Sequence, residues 1–242
     1  MPELAEMVSA TINEQVGPII EKVYQEQPTI IAASMWLFNH EALMHLCARI
    51  KALLPHVTIA LGGPEFLGDN ETFLRNNPFV SCVFRGEGEE VFPQWLASYE
   101  STEQWASIHG MCFVDARNRY HDNGKAIVMN FDRLTPPEES EFFNWGKPFV
   151  QLETTRGCFN TCAFCVSGGE KPVRTLSIEQ IKQRLDLIHK HGIKDVRLLD
   201  RTFNYNMHRA KALLQLFKEY APHMRFHLEI HPALLSEDLK AE

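Results

Sequence analysis

Short runs of apolar residues alternate along this chain with longer stretches whose apolar positions recur every three or four residues. Thr29 to Ser34, Val57 to Leu61 and Phe79 to Phe84 are near-continuous apolar runs, which is how strands buried on both faces read. Between the first two, His40 to Leu54 places Leu43, Leu46, Cys47, Ile50 and Leu54 on one helical face. Ile12 to Gln25 does the same through Ile12, Val16, Ile19, Ile20 and Val23, with Gly17-Pro18 interrupting or delaying that helix. After the third run come Gly86-Glu87-Gly88-Glu89 and a helix reaching about Tyr99. Strand–helix alternation with apolar strands predicts a parallel sheet covered on both faces over residues 1–100.

Residues 101–148 read as a connector. Gly110 to Val114 and Ile127 to Asn130 alternate around Asp122-Asn123-Gly124, which predicts a hairpin. Thr135-Pro136-Pro137-Glu138-Glu139 reads as an interdomain linker, with Phe142, Phe143 and Trp145 packing at the joint. From Phe149 the alternation resumes. Phe149 to Thr154, Val196 to Leu199 and Phe226 to Ile230 are strand runs, and Met207 to Tyr220 is a helix. Ser177 with Gln180 makes a capping box for a helix bearing Ile178, Ile181, Leu185 and Ile188, which Gly192 ends. Residues 149–242 thus predict three βα units of a barrel edge.

Net charge changes this picture by supporting two domains. The whole chain carries −7. Residues 1–145 hold 9 basic and 20 acidic side chains, whereas 146–242 hold 15 and 11, about −11 against +4. Neither half is basic enough to argue for nucleic-acid binding. No apolar run is long enough to span a bilayer, and Glu3 and Glu6 break the first apolar segment; free thiols beside a candidate cluster loop argue for a reducing cytoplasm.

The candidate chemistry sits in Arg156-Gly157-Cys158-Phe159-Asn160-Thr161-Cys162-Ala163-Phe164-Cys165. Three thiolates spaced by three and then two residues can hold three corners of an iron–sulfur cubane and leave one iron open. A zinc site completed by histidine, or simple packing, are the alternatives. Zinc loops usually pair cysteines as two CxxC units, and chance thiols scatter as Cys47, Cys82 and Cys112 do.

This spacing, with Phe164 before the last cysteine, resembles the radical S-adenosylmethionine (SAM) superfamily. That resemblance implies a [4Fe–4S] cluster on Cys158, Cys162 and Cys165, with SAM on the open iron and cleaved to a 5'-deoxyadenosyl radical. It implies SAM contacts at Phe164, at Asp200, where an acid would balance the SAM ammonium, and at Glu229. Arg156 and Arg174 match the family's arginines beside the cluster, and would either offset its charge or pair with Glu153 and Glu170.

In the first half, Ser34-Met35-Trp36, Gly62-Gly63 and Gly86-Glu87-Gly88-Glu89 end successive strands, where ligands of parallel sheets bind. Together they resemble a cobalamin-binding domain, which implies Ser34, Gly62, Gly63, Gly86 and Glu87 as cobalamin contacts. The family's Asp-x-His-x-x-Gly element would fall before Met1 and is absent.

The expected fold class is therefore α/β: a partial doubly wound, Rossmann-like sheet followed by the first three βα units of a partial TIM-type barrel. The resemblance implies a radical SAM enzyme that uses cobalamin for methyl transfer to an unreactive carbon, with an electron donor such as flavodoxin or ferredoxin. Missing first strands and a barrel of three strands instead of six imply a chain short at both ends. The alternative function is an iron–sulfur protein without independent catalysis, acting as a split subunit beside a complementing chain. The substrate is not legible.

Overall fold

In the computed structural model, residues 16–165, 167 and 170–241 are described. The chain divides into two compact units, Met1–Val128 and Met129–Glu242.

The first unit is built on a sheet in which β1 (Ile30–Ser34), β2 (Thr58–Gly62) and β3 (Cys82–Phe84) run parallel. Alternation with period two explains why both faces are covered. Ile59, Leu61, Val83 and Cys112 point to one core, with Val23 of α1 (Val16–Glu26) and Cys47 and Ile50 of α2 (His40–Leu53). Ala60, Cys82, Phe84, Met111 and Phe113 point to the other, which also takes Val91 and Trp95 of α4 (Gly88–Leu96) and Trp105 of α5 (Thr102–Trp105). A short α3 (Glu71–Asn76) links β2 to β3. Gly17 and Pro18 fall in the first turn of α1, where proline costs no hydrogen bond, and the part of the predicted helix before Val16 lies outside the described residues.

The sheet is not wholly parallel. β4 (Met111–Val114) pairs antiparallel with β3, and β5 (Tyr120–Asp122) pairs antiparallel with β4. The predicted hairpin therefore exists but turns elsewhere, and it belongs to the first sheet instead of standing apart as a connector. Asp115 sets the turn: its carboxylate accepts from the Arg117 and Arg119 backbone N–H groups, each at 2.9 Å. Asn118 supplies the left-handed residue (φ 59°). Ile127 is not its second strand; Ala126 bridges Gly86 instead.

The second unit holds a three-stranded parallel sheet in the order β10–β9–β6, from β6 (Val150–Leu152), β9 (Asp195–Leu198) and β10 (Arg225–His227). Between β6 and β9 a two-stranded ribbon forms from β7 (Thr155–Arg156) and β8 (Arg174–Thr175). Ser177 Oγ accepts from Gln180 N and caps α6 (Ile178–Lys190) as the sequence predicts, and Gly192 follows it at φ 72°. Ile181, Leu185 and Ile188 of α6 are buried, as are Leu213, Leu216 and Phe217 of α7 (Met207–Tyr220). A last helix, α8 (Glu237–Ala241), ends the described chain.

The Pro-Pro-Glu-Glu stretch is no loose linker. Glu138 is 3% exposed and takes a bidentate bond from Arg184 of α6, Nε at 2.9 Å and NH2 at 2.7 Å. Trp145 stacks on His191, the residue that follows α6, at 3.8 Å, and Phe143 packs on Trp145 at 4.6 Å, whereas Phe142 is exposed. Removing one partner of a buried ion pair leaves the other charge uncompensated. Glu138→Ala is expected to destabilise the second unit by about 3 kcal/mol, and Glu138→Leu with Arg184→Met to recover most of that loss, in urea unfolding followed by circular dichroism. A Glu138→Ala protein as stable as the parent would show that the pair contributes nothing.

Candidate functional site

The cysteines lie on a loop with a defined neck. Thr155 pairs with Thr175 and Arg156 with Arg174, and Leu176 N donates to Thr154 O at 2.9 Å. Gly157 then turns with φ 93°, and any Cβ there would press on the Glu170 and Pro172 carbonyls. Cys158 N donates to Glu170 O at 2.9 Å, which fixes the first cysteine against the far side of the loop. Cys158 is buried, with its sulfur 3.9 Å from Thr202 Oγ1. Cys162 and Cys165 are exposed, and Cys165 N donates to Cys162 O at 3.1 Å. Phe164 beside them is 93% exposed.

Among the described residues, no three His, Cys, Asp or Glu side chains are already gathered closely enough to hold a metal ion. The donor set nevertheless suits an iron–sulfur cluster: three soft thiols on one loop, one anchored by its backbone and two open to solvent. Metal binding is coupled to folding, so thiols carried on one loop can converge as the metal binds. The other three thiols contrast with these. Cys47, Cys82 and Cys112 are buried in the first unit, and burial pushes the Cys47 thiol up to about 12 and raises the other two. Such thiols stay neutral and unreactive.

Asp200 sits at the end of β9 with no exposed surface, and burial raises its pKa against the hydrogen bonds that lower it. Thr154 N donates to its Oδ1 at 2.7 Å, Thr155 N to the same oxygen at 2.9 Å, and the Thr154 hydroxyl bonds Oδ2. Its partners are the root of the cysteine loop. Glu229, by contrast, is exposed just beyond β10, with its carbonyl accepting from Phe203 N at 2.8 Å. Arg156 pairs with Glu153 at 2.8 Å and Arg174 with Glu170 at 3.7 Å.

Sequence reasoning did not single out Thr154, Thr155, Arg209 or Asn204. Arg209 of α7 donates to Thr154 O at 3.1 Å and Leu176 O at 2.8 Å, bridging both strands of the neck. Asn204 is buried and exchanges two bonds with the His231 backbone, tying the segment after β9 to the one after β10. The one available signal was the density of polar residues in Asp200-Arg201-Thr202-Phe203-Asn204, directly after an apolar strand.

In the first unit, Ser34 and Gly62 are register partners at the carboxyl ends of β1 and β2. Gly63 has φ 108°, and a Cβ there would collide with the Met35 carbonyl and come within 2.9 Å of Ser34 Oγ. Ser34, Gly62 and Gly63 thus form one corner, and the glycine at 63 is demanded by the chain's own crossing. Gly86 and Glu87 end β3 and engage their own unit: Glu87 N donates to Ala126 O at 3.0 Å, and Glu87 Oε2 accepts from Val128 N at 2.6 Å. Beyond Ser34, Trp36, Leu37 and Phe38 are exposed in a loop braced by Asn39, which accepts from Trp36 N and donates to Ser34 O. A hydroxyl beside exposed flat rings suits a large ligand with both polar and apolar parts.

Comparison with known proteins agrees with both halves. Residues 7–96 match the B12 binding domain and residues 152–241 the radical SAM superfamily. The chain joins a B12-binding domain to a radical SAM domain and is homologous to cobalamin-dependent radical SAM methyltransferases. Radical SAM domains imply a [4Fe–4S] cluster and SAM, and B12-binding domains imply cobalamin.

An uncharacterized methyltransferase of Pyrococcus horikoshii is 26% identical over 81% of this chain and 44% of its own length. The cobalamin-dependent radical SAM methyltransferase TokK of Streptomyces tokunonensis is 23% identical over 80% of this chain and 29% of its own length. The chain therefore spans less than half the length of these relatives. The fold matches that of the cobalamin-dependent radical enzyme OxsB with aqua-cobalamin and SAM bound, with TM-score 0.63 over 79% of this chain and 28% of that one, at 22% identity. No helix among the described residues is long and apolar enough to cross a membrane.

Thiol chemistry tests the division among the cysteines. Under anaerobic conditions and without metal, iodoacetamide should label Cys162 and Cys165 first and Cys158 more slowly. Cys47, Cys82 and Cys112 should label at least about a hundredfold more slowly still, because burial suppresses their thiolates. Peptide mapping reads the order, and rapid labelling of Cys47 in the folded protein would contradict it.

Proposed function

We propose that this chain supplies the cobalamin-binding and cluster-binding portions of a radical SAM enzyme that transfers methyl groups to an unreactive carbon. The observation that carries this reading is a three-thiol loop rooted at the carboxyl end of a parallel barrel-type sheet, in a chain that also holds the Ser34–Gly62–Gly63 corner. Cys158, Cys162 and Cys165 would be the cluster ligands. Phe164 and Glu229, both exposed at that end of the second unit, are the candidate contacts for SAM. Ser34 would anchor cobalamin by its hydroxyl. Gly62 would admit it closely, since a Cβ there would meet nothing nearer than Phe84 at 3.8 Å. When bound, cluster and SAM supply one-electron cleavage to a 5'-deoxyadenosyl radical, and cobalamin supplies a methyl carrier.

The residues present would hold and orient these groups, and β6, β9 and β10 would give their site a rigid floor. A reductant of the flavodoxin or ferredoxin kind would deliver electrons, and a complementing polypeptide would finish the enclosure that radical chemistry requires.

Anaerobic reconstitution tests the cluster. About four irons per chain are expected, with the brown chromophore lost in Cys158→Ala, Cys162→Ala and Cys165→Ala and kept in Cys47→Ala. Four irons retained in Cys162→Ala, or zinc after strictly anaerobic preparation, would overturn the assignment.

Cobalamin binding is a separate test, by equilibrium dialysis with hydroxocobalamin. Ser34→Ala and Gly62→Val should each weaken binding by about tenfold, or 1.4 kcal/mol. Unchanged affinity in both variants would remove this corner from the ligand site.

A further inference from the structure

We propose that Asp200 and Arg209 are positioning residues that clamp the neck of the cysteine loop, and that Asp200 does not contact the SAM ammonium. The inference rests on reading residues 157–173 as the cluster loop.

Everything that leaves β6 for the cysteines passes through Thr154 and Thr155, and everything that returns passes through Thr175 and Leu176. Asp200, at the end of β9, takes both backbone N–H groups of the outgoing strand and the Thr154 hydroxyl. Arg209, from α7, donates to Thr154 O and to Leu176 O, one carbonyl on each strand. An acidic and a basic side chain from one βα unit, β9 with α7, thus hold the same short segment from its donor side and its acceptor side.

Asp200 has no exposed surface, so an ammonium from outside could reach it only by displacing these bonds. A buried carboxylate that donors surround is costly to disturb. Only two residues separate Thr155 from Cys158, and Cys158 is the thiol that the fold buries, against Thr202. A shift at the neck is therefore a shift of the first ligand.

Asparagine and alanine at position 200 separate the two roles. Asparagine keeps an oxygen that can accept from Thr154 N and Thr155 N but removes the charge; alanine removes both. Hydrogen exchange on the metal-free protein reads the clamp without requiring cluster or SAM. In Asp200→Ala the amides of Thr154, Thr155 and Cys158 should exchange about tenfold faster, with Ile181 to Ile188 unchanged, as expected for loss of a local hydrogen-bond set. In Asp200→Asn they should stay protected. After reconstitution, Asp200→Ala should lose cluster while Asp200→Asn is rescued, and SAM affinity by anaerobic calorimetry should change less than about threefold in Asp200→Asn.

If Asp200→Ala does not fold, Asp200→Asn carries the test. A protected neck with a tenfold loss of SAM affinity would overturn the proposal and restore Asp200 as an ammonium contact. Unchanged neck exchange in a folded Asp200→Ala would overturn the clamp itself. Absence of a cluster in the parent protein, with neck exchange responding as described, would instead fault the cluster assignment.

Discussion

A carboxylate with no exposed surface must find every partner inside the chain, and Asp200 finds its partners at the root of the cysteine loop. Leaving such a group unpaired costs several kcal/mol, so the three donors of Thr154 and Thr155 are held wherever Asp200 is held. Asp200 in turn is fixed by β9, which lies between β6 and β10 with Val196 and Leu198 buried. The position of Cys158 is thereby tied to the packing of the whole second sheet. Asn204 extends the same device to the next strand end through His231. The loop bearing the chemistry stands on a floor in which Asp200 is bound to Thr154 and Thr155 and Asn204 to the His231 backbone.

The first unit solves a different problem. Close backbone approach shapes its strand ends: Gly63 against Met35, and Gly86 against Ala126. The glycines read from sequence as ligand contacts are first of all requirements of the chain's own crossings. Ser34 and Gly62 keep room beyond that requirement. The exposed rings of Trp36 and Phe38, 6.1 Å apart, flank the same strand end.

Much of this was legible in the sequence because burial on both faces writes itself as unbroken apolar runs. β1, β2, β9 and the caps of α6 all lie where periodicity and turn chemistry place them. Partners far apart in the chain were not legible. Glu138 sits in a stretch that reads as a linker, and only Arg184, 46 residues away, explains its burial. Asp200 was legible as an acid at a strand end, but not as an acceptor for Thr154 and Thr155, because hydrogen-bond partners leave no periodic trace. The hairpin was misplaced because apolar Ile127-Val128 outweighed polar Tyr120-His121-Asp122, although Asn118 was a turn signal in plain view.

Cys158, Cys162 and Cys165 would hold a cluster with one iron open to SAM. Electron paramagnetic resonance of the reconstituted, dithionite-reduced protein tests it most directly, recorded before and after SAM is added. The account predicts a [4Fe–4S] signal whose g values shift when SAM binds the fourth iron. A signal indifferent to SAM, or none from protein with full iron content, would contradict it.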